Sequence, residues 1–195
     1  MPRTKSFDPN QSLLQAMELF WIKGFMATSI ADLEAHLGIG RVSLYGAFGD
    51  KRQLFLECLR AYRRNVALPL LRQLDEPNGL AGIRRFFAEV ASASPAIRRR
   101  GCLIVNTLVA ANDPAPAVGA LVQDHLHFVE DRFFHAIRRG QAVGAIAGHL
   151  KPRGTARKLL TLAHGTFALN RSGAPPDLTN AAIRTALDGL TQRGR

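Results

Sequence analysis

The sequence predicts an all-α protein of about nine helices, a three-helix N-terminal head carried on a larger helical body. Three observations support this. Between the Pro and Gly breaks, apolar residues recur three and four apart rather than alternating. Runs of β-branched residues of the strand type are missing. Side chains suited to capping helices stand where the periodic segments begin, at Asp8, Ser29 and Asp50.

The first helix opens at Asp8-Pro9, a capping carboxylate followed by a ring whose fixed φ suits the first helical turn. It turns Leu13, Leu14, Met17, Phe20 and Trp21 inward and stops at Lys23-Gly24. A second begins at Thr28-Ser29, where Ser29 and Asp32 have capping-box spacing, and ends at Gly38. A short third runs from about Arg41 to Ala47, and a long fourth starts at Asp50. Pro69, Pro77-Asn78-Gly79 and Pro95 predict breaks, with a helix over about Leu80–Ala93 between the last two. Another starts at Gly101 and ends before Asn112-Asp113-Pro114. Pro116 to Arg139 is a single long amphipathic helix with Gly140 as its C-cap. Two more follow, over about Arg153–Asn170 and Leu178–Gln192.

Composition narrows the function classes. The 195 residues are 47% hydrophobic and 21% charged, with no apolar run of membrane-spanning length and no secretory leader at Met1-Pro2-Arg3. With Cys58 and Cys102 the only thiols, a reducing, cytoplasmic setting is expected. The net charge of +11 favours an anionic partner, for which nucleic acid is the commonest choice. Yet residues 1–66 hold nine basic and six acidic side chains, so most of the excess lies in the body. Charge alone does not locate the binding face.

The motif does. Two short helices joined by a tight turn at Gly38 have the spacing of a helix-turn-helix at about 29–48, which presents its second helix to a DNA major groove. Ile30, Leu33, Leu37, Leu44 and Phe48 fall on inward positions, leaving Arg41, Ser43 and Tyr45 outward. In order and spacing, Leu19-Phe20, Gly24-Phe25, Ala27-Thr28-Ser29-Ile30, Asp32-Leu33, Gly38-Ile39, Ser43-Leu44-Tyr45, Phe48 and Lys51 resemble the N-terminal pattern of TetR (TetR/AcrR) transcriptional regulators. The resemblance implies a DNA-binding domain over 1–53 and a ligand-binding and dimerisation domain over 54–195. It also implies DNA contact within the unit formed by Lys5, Thr28, Ser29, Arg41, Ser43, Leu44, Tyr45 and Lys51. Three positions depart from the family pattern: Gly40 replaces a common Ser or Thr cap, Val42 a common Gly, and Ala47 a common His. The stretch Gly38-Ile39-Gly40-Arg41-Val42-Ser43 approaches a dinucleotide fingerprint, but a helix precedes it and Ser43 stands in place of the third glycine.

In the body, Phe86, Phe87, Asn106, His125, Phe128, His164 and Phe167 have the composition of an apolar pocket with a few polar anchors, or of plain core. Cys102, at a predicted helix N-terminus after Arg98-Arg99-Arg100, either packs in that core or is activated as a thiolate sensor facing the same ligand. His127, Asp131 and His135 recur every four residues, yet on the arc opposite the apolar one, so they read as a solvated face and no metal or other cofactor is expected. The last two helices carry more apolar surface than one chain needs, and in the TetR family this pair forms a four-helix homodimer interface. A dimer implies a palindromic double-stranded operator, and the family pattern implies a repressor released by a small-molecule effector. An enzyme would need a base beside Cys102, and no paired catalytic signature stands in the sequence. A helical carrier module would share the pocket without needing Arg41, Ser43 or Tyr45.

Overall fold

The computed structural model describes residues 8–110 and 116–191. All secondary structure among them is helical, with nine α-helices of eight residues or more and two shorter ones. The head comprises α1 (Pro9–Lys23), α2 (Ile30–Leu37) and α3 (Arg41–Phe48). The body follows as α4 (Lys51–Tyr62), α5 (Leu68–Leu71), α6 (Gly79–Ser92), α7 (Pro95–Arg100), α8 (Leu103–Ala110), α9 (Pro116–Ala142), α10 (Pro152–Arg171) and α11 (Pro176–Asp188).

Helices α1 to α4 each start where a side chain accepts one of the first free N–H groups. Asp8 accepts from Asn10 N. Ser29 Oγ accepts from Asp32 N at 3.0 Å while the Asp32 carboxylate accepts from Ser29 N at 2.8 Å, a closed capping box. Asp50 takes Gln53 N at 2.8 Å. Gly40 offers α3 no side-chain cap; Glu34 does the work from the preceding helix, its Oε1 accepting Arg41 N at 2.6 Å. Gly38 sits at φ 66°, the left-handed conformation that lets α2 stop and the chain turn tightly into α3.

Four expectations about the helices are corrected. Leu14 of α1 is exposed, because Ser12, Ala16, Met17, Phe20 and Trp21 form the buried stripe instead. Pro69 does not break the chain. A π-helical turn at Arg63–Ala67 shifts the hydrogen-bond register just before it, so the proline, which has no N–H, sits in the first turn of α5. The segment after Pro95 is itself a short helix, and α8 starts at Leu103 rather than Gly101. Gly140 lies inside α9, not at its end, with Ile146 packed where a side chain would project. The predicted end of the last helix, Gln192, lies outside the described residues.

Two apolar clusters hold the molecule. The first joins α1–α4 to α8 and the start of α9 around Phe20, Leu33, Leu44, Leu59 and Ile104. The second joins α6, α9, α10 and α11 around Ile83, Phe87, Phe133, Ile137 and Leu159. Each fully buried side chain of this size contributes roughly 1.5–3 kcal/mol of transfer free energy. Phe167 of α10 packs against both clusters, and the space between them stays partly open.

Candidate nucleic-acid interface and body cavity

On α3 a single side chain, Leu44, is fully buried, and it anchors the helix to the head core. Arg41, Val42, Ser43 and Tyr45 all project from the surface, with the Arg41 guanidinium 5.9 Å from the centre of the Tyr45 ring. The helix is short and seated by one leucine, with an unblocked polar face. That is what entry into a groove about 12 Å wide requires. Val42 at the glycine-rich family position is 88% exposed, a methyl-bearing surface rather than a core contact.

Of the other residues expected to meet DNA, Lys51 is half-buried at the start of α4, its ammonium 4.3 Å over the Phe25 ring. Burial holds its proton affinity below that of an ordinary lysine, with Asp32 acting in opposition. Ser29 is exposed, with its hydroxyl held in the capping box. Two of these residues have buried side chains. Thr28 is 0% exposed and its Oγ donates to the Gly24 carbonyl at 2.7 Å, so the side chain ties the α1–α2 turn together instead of reaching a phosphate. Leu44 is turned into the core, as its inward position predicts. Lys5 lies outside the described residues.

The body contains a cavity of about 530 Å³, in the range typical of small-molecule sites. Phe86, Cys102, His125, His164 and Phe167 line it, as the sequence reading grouped them. Three others of that group do not. Phe87 is buried against Phe133, with ring centres 6.0 Å apart. Phe128 lies under the Arg63 and Arg132 guanidinium groups. Asn106 donates its amide to the Arg100 carbonyl at 2.8 Å and faces a separate hollow between head and body. The cavity wall also includes Trp21, Tyr62, Arg98 and Asn170, which the sequence reading missed. Trp21 read as head core, and nothing in the local pattern marks an asparagine near the end of α10 as a wall residue. Here Asn170 Oδ1 accepts from Arg98 Nη2 at 2.7 Å.

Four titratable groups of the wall, Tyr62, Cys102, His125 and His164, are held neutral. Burial pushes the Cys102 thiol up, and the Tyr62 hydroxyl well up, so neither ionises near neutrality. This favours the packed reading of Cys102 over the thiolate: desolvation outweighs the hydrogen bonds with Tyr62 and the Val105 and Ile104 backbone. Burial likewise pulls His125 and His164 down to about 4, aided at His125 by His164 and Arg63. His127, Asp131 and His135 are exposed, and Asp131 accepts from Arg153 at 2.6 Å. No cluster of three or more metal-ligating side chains occurs among the described residues, and none of their helices is long and apolar enough to cross a membrane.

Comparison with known proteins agrees with this arrangement. Residues 13–58 match the family model described as bacterial regulatory proteins, tetR family, and residues 79–186 match that of the tetracyclin repressor-like C-terminal domain. The chain is 32% identical over 150 residues to the uncharacterized HTH-type transcriptional regulator YezE of Bacillus subtilis, covering 76% of this chain and 77% of that one. It is 28% identical over 179 residues to the HTH-type transcriptional repressor ComR of Escherichia coli, covering 88% and 83%. Among solved structures, it resembles a cysteine-mutant form of the TetR family transcriptional regulator CifR complexed with 26-bp double-strand operator DNA. The TM-score is 0.83 at 26% identity, over 96% of this chain and 99% of that one.

Proposed function

Because the chain belongs to the TetR family of DNA-binding transcriptional regulators, we propose that it is a cytoplasmic homodimeric repressor released from a palindromic operator by a small-molecule effector. In this reading residues 1–53 are the DNA-binding domain and 54–195 the ligand-binding and dimerisation domain. Arg41, Ser43 and Tyr45 meet base edges and adjacent phosphates, with Lys51 and Lys5 on the backbone. The effector enters the body cavity. The second subunit packs on α10 and α11, where Leu169 and Leu178 are exposed in the single chain. Twofold symmetry then sets two α3 helices about one DNA turn apart, roughly 34 Å.

One observation carries the ligand-responsive part. Trp21 of α1 and Gly101 both line the cavity, and the indole Nε1 donates to the Gly101 carbonyl. The chamber therefore shares a wall with the head. An occupant that displaces the α7–α8 turn pulls on α1, and the spacing of the two reading helices changes with it. Losing a bidentate base contact this way costs about 1–3 kcal/mol of discrimination.

The experiment selects bound fragments from random duplex DNA at near-physiological salt, with wild type beside the Arg41→Ala/Tyr45→Ala double variant. A palindrome enriched by wild type alone is the expected result. Equal, salt-sensitive binding without an enriched sequence would reduce the +11 charge to nonspecific attraction and overturn the reading.

A further inference from the structure

The cavity holds one polar group that the fold leaves unsatisfied. His125, on α9, is 3% exposed, and its Nδ1 is enclosed with no hydrogen-bond partner among the described residues. His164, on α10, lines the same space. Buried polar atoms are normally bonded, and one that is not points to a missing partner. The walls around the two imidazoles are mostly hydrocarbon and aromatic, so the missing group belongs to a molecule that is itself mostly apolar.

The charges facing the pair limit what that molecule is. Arg63, in the π-helical turn, raises the positive field at His125. Arg98, from α7, has its guanidinium engaged by Asn170. Glu89, from α6, is exposed and accepts from Gln73 Nε2 at 3.2 Å. Tyr62 and Cys102 are neutral, and burial keeps both imidazoles neutral as well. A buried cation would find no anion beside the histidines. A buried anion would meet Arg98, whose guanidinium is already engaged by Asn170, and beside the histidines only imidazoles that resist taking up a proton. A hydroxyl suits them, because one oxygen both donates to the bare nitrogen of one neutral imidazole and accepts the N–H of the other.

We propose that the cavity binds an uncharged, mainly apolar molecule bearing a hydroxyl, and that His125 and His164 hold that hydroxyl. The proposal rests on the ligand-responsive reading above and names the ligand chemistry of its site.

Trp21 is the only tryptophan and lines the cavity, so its emission reports occupancy. The full-length protein is titrated near neutral pH with octan-1-ol, with its isomer heptyl methyl ether, which accepts but cannot donate, and with octanoate and octylammonium. Calorimetry is run alongside. Octan-1-ol is expected to bind at least about tenfold more tightly than each of the other three, the scale of a single well-made hydrogen bond. His125→Leu and His164→Leu should each bring the alcohol to within about threefold of the ether, since the apolar contribution remains. Melting and DNA binding of both variants establish that they fold. His125→Asn, which keeps a polar group at the site, should retain part of the preference.

Equal binding of alcohol and ether, tighter binding of either ion, an undiminished preference in both leucine variants, or no heat and no emission change with any probe would overturn the proposal. Operator release is measured on the same samples. Octan-1-ol that seats through the histidines without releasing operator leaves this proposal standing and sinks the ligand-responsive reading. Release by compounds whose binding ignores both histidines does the reverse.

Discussion

The indole Nε1 of Trp21 donates to the Gly101 carbonyl over 3.1 Å, a buried bond between residues 80 apart in the chain. Arg171, at the end of α10, closes the same junction. Its Nη1 donates to the Trp21 carbonyl at 3.2 Å and the Arg100 carbonyl at 3.1 Å, and its Nη2 to the Ile22 carbonyl at 3.4 Å. The end of α1, the α7–α8 turn and the end of α10 are thus fastened at one point beside the cavity.

Trp21→Phe keeps an aromatic ring in place but leaves the buried Gly101 carbonyl without its donor. The expected cost is about 1–3 kcal/mol. At roughly 2–4 °C per kcal/mol for a chain of this size, thermal melting reads it directly. Arg171→Lys should also destabilise, because a single ammonium cannot reproduce a planar fork spread over three carbonyls. Unchanged melting in both variants would mean that the junction does not hold the head.

Thr28→Val separates a structural hydroxyl from a phosphate contact. The hydroxyl bonds the Gly24 carbonyl at zero exposure, so its loss should cost about 1 kcal/mol of stability. The slope of DNA affinity against salt should not change, since no phosphate contact is removed. Thr28→Ser restores the bond and should recover most of the stability. A smaller salt slope in Thr28→Val would return the residue to the DNA backbone.

Gly79→Ala should destabilise strongly even though alanine is the better helix former by about 1 kcal/mol. A Cβ there would lie 1.7 Å from the Ala136 carbonyl oxygen and 2.9 Å from Gly140 N, both backbone atoms of α9. Relief requires α6 and α9 to separate, which opens the second core cluster and costs about 2 kcal/mol or more. Gly154→Ala in α10, where the nearest atom is 4.0 Å away, is the control and should be neutral or stabilising. Similar melting of the two variants would argue against the close α6–α9 contact.

The head was legible because its rules are local. Asp8, Ser29 with Asp32, Gly38 and Asp50 each act within three or four residues, and all four mark helix ends in the structure. The cap of α3 was not legible, because the acceptor is Glu34, seven residues before the amide it binds. Pro69 misled for a related reason, since the π-helical turn that accommodates it is a matter of register that no residue type announces. In the body, Phe86 and Phe87 are equally aromatic neighbours on α6, yet Phe86 meets the cavity while Phe87 meets Phe133. Periodicity marks an inward face, but only tertiary packing decides which part of that face stays uncovered.

Acid should weaken the fold through the two cavity histidines. In the unfolded chain each imidazole titrates near its ordinary value of 6.5, whereas in the folded protein burial lowers both to about 4. Between those values the unfolded chain binds protons that the folded one refuses, so stability falls as pH drops from about 6.5 to about 4 and levels off below. Each group alone accounts for about 3 kcal/mol across that window, and because the two interact they titrate as a pair rather than additively. Tyr62 and Cys102, displaced upward, contribute nothing there. Asp32, held down chiefly by Lys23 and the Ser29 backbone, and Asp131, held down chiefly by Arg153, have folded values below the ordinary carboxylate range. Their contributions fade only at the acid end. Denaturant unfolding at a series of pH values should therefore show a midpoint that declines through the window in wild type. In the His125→Leu/His164→Leu variant it should stay nearly level until the carboxylates protonate. A wild-type midpoint that is flat through the window would mean that burial does not hold the two imidazoles neutral.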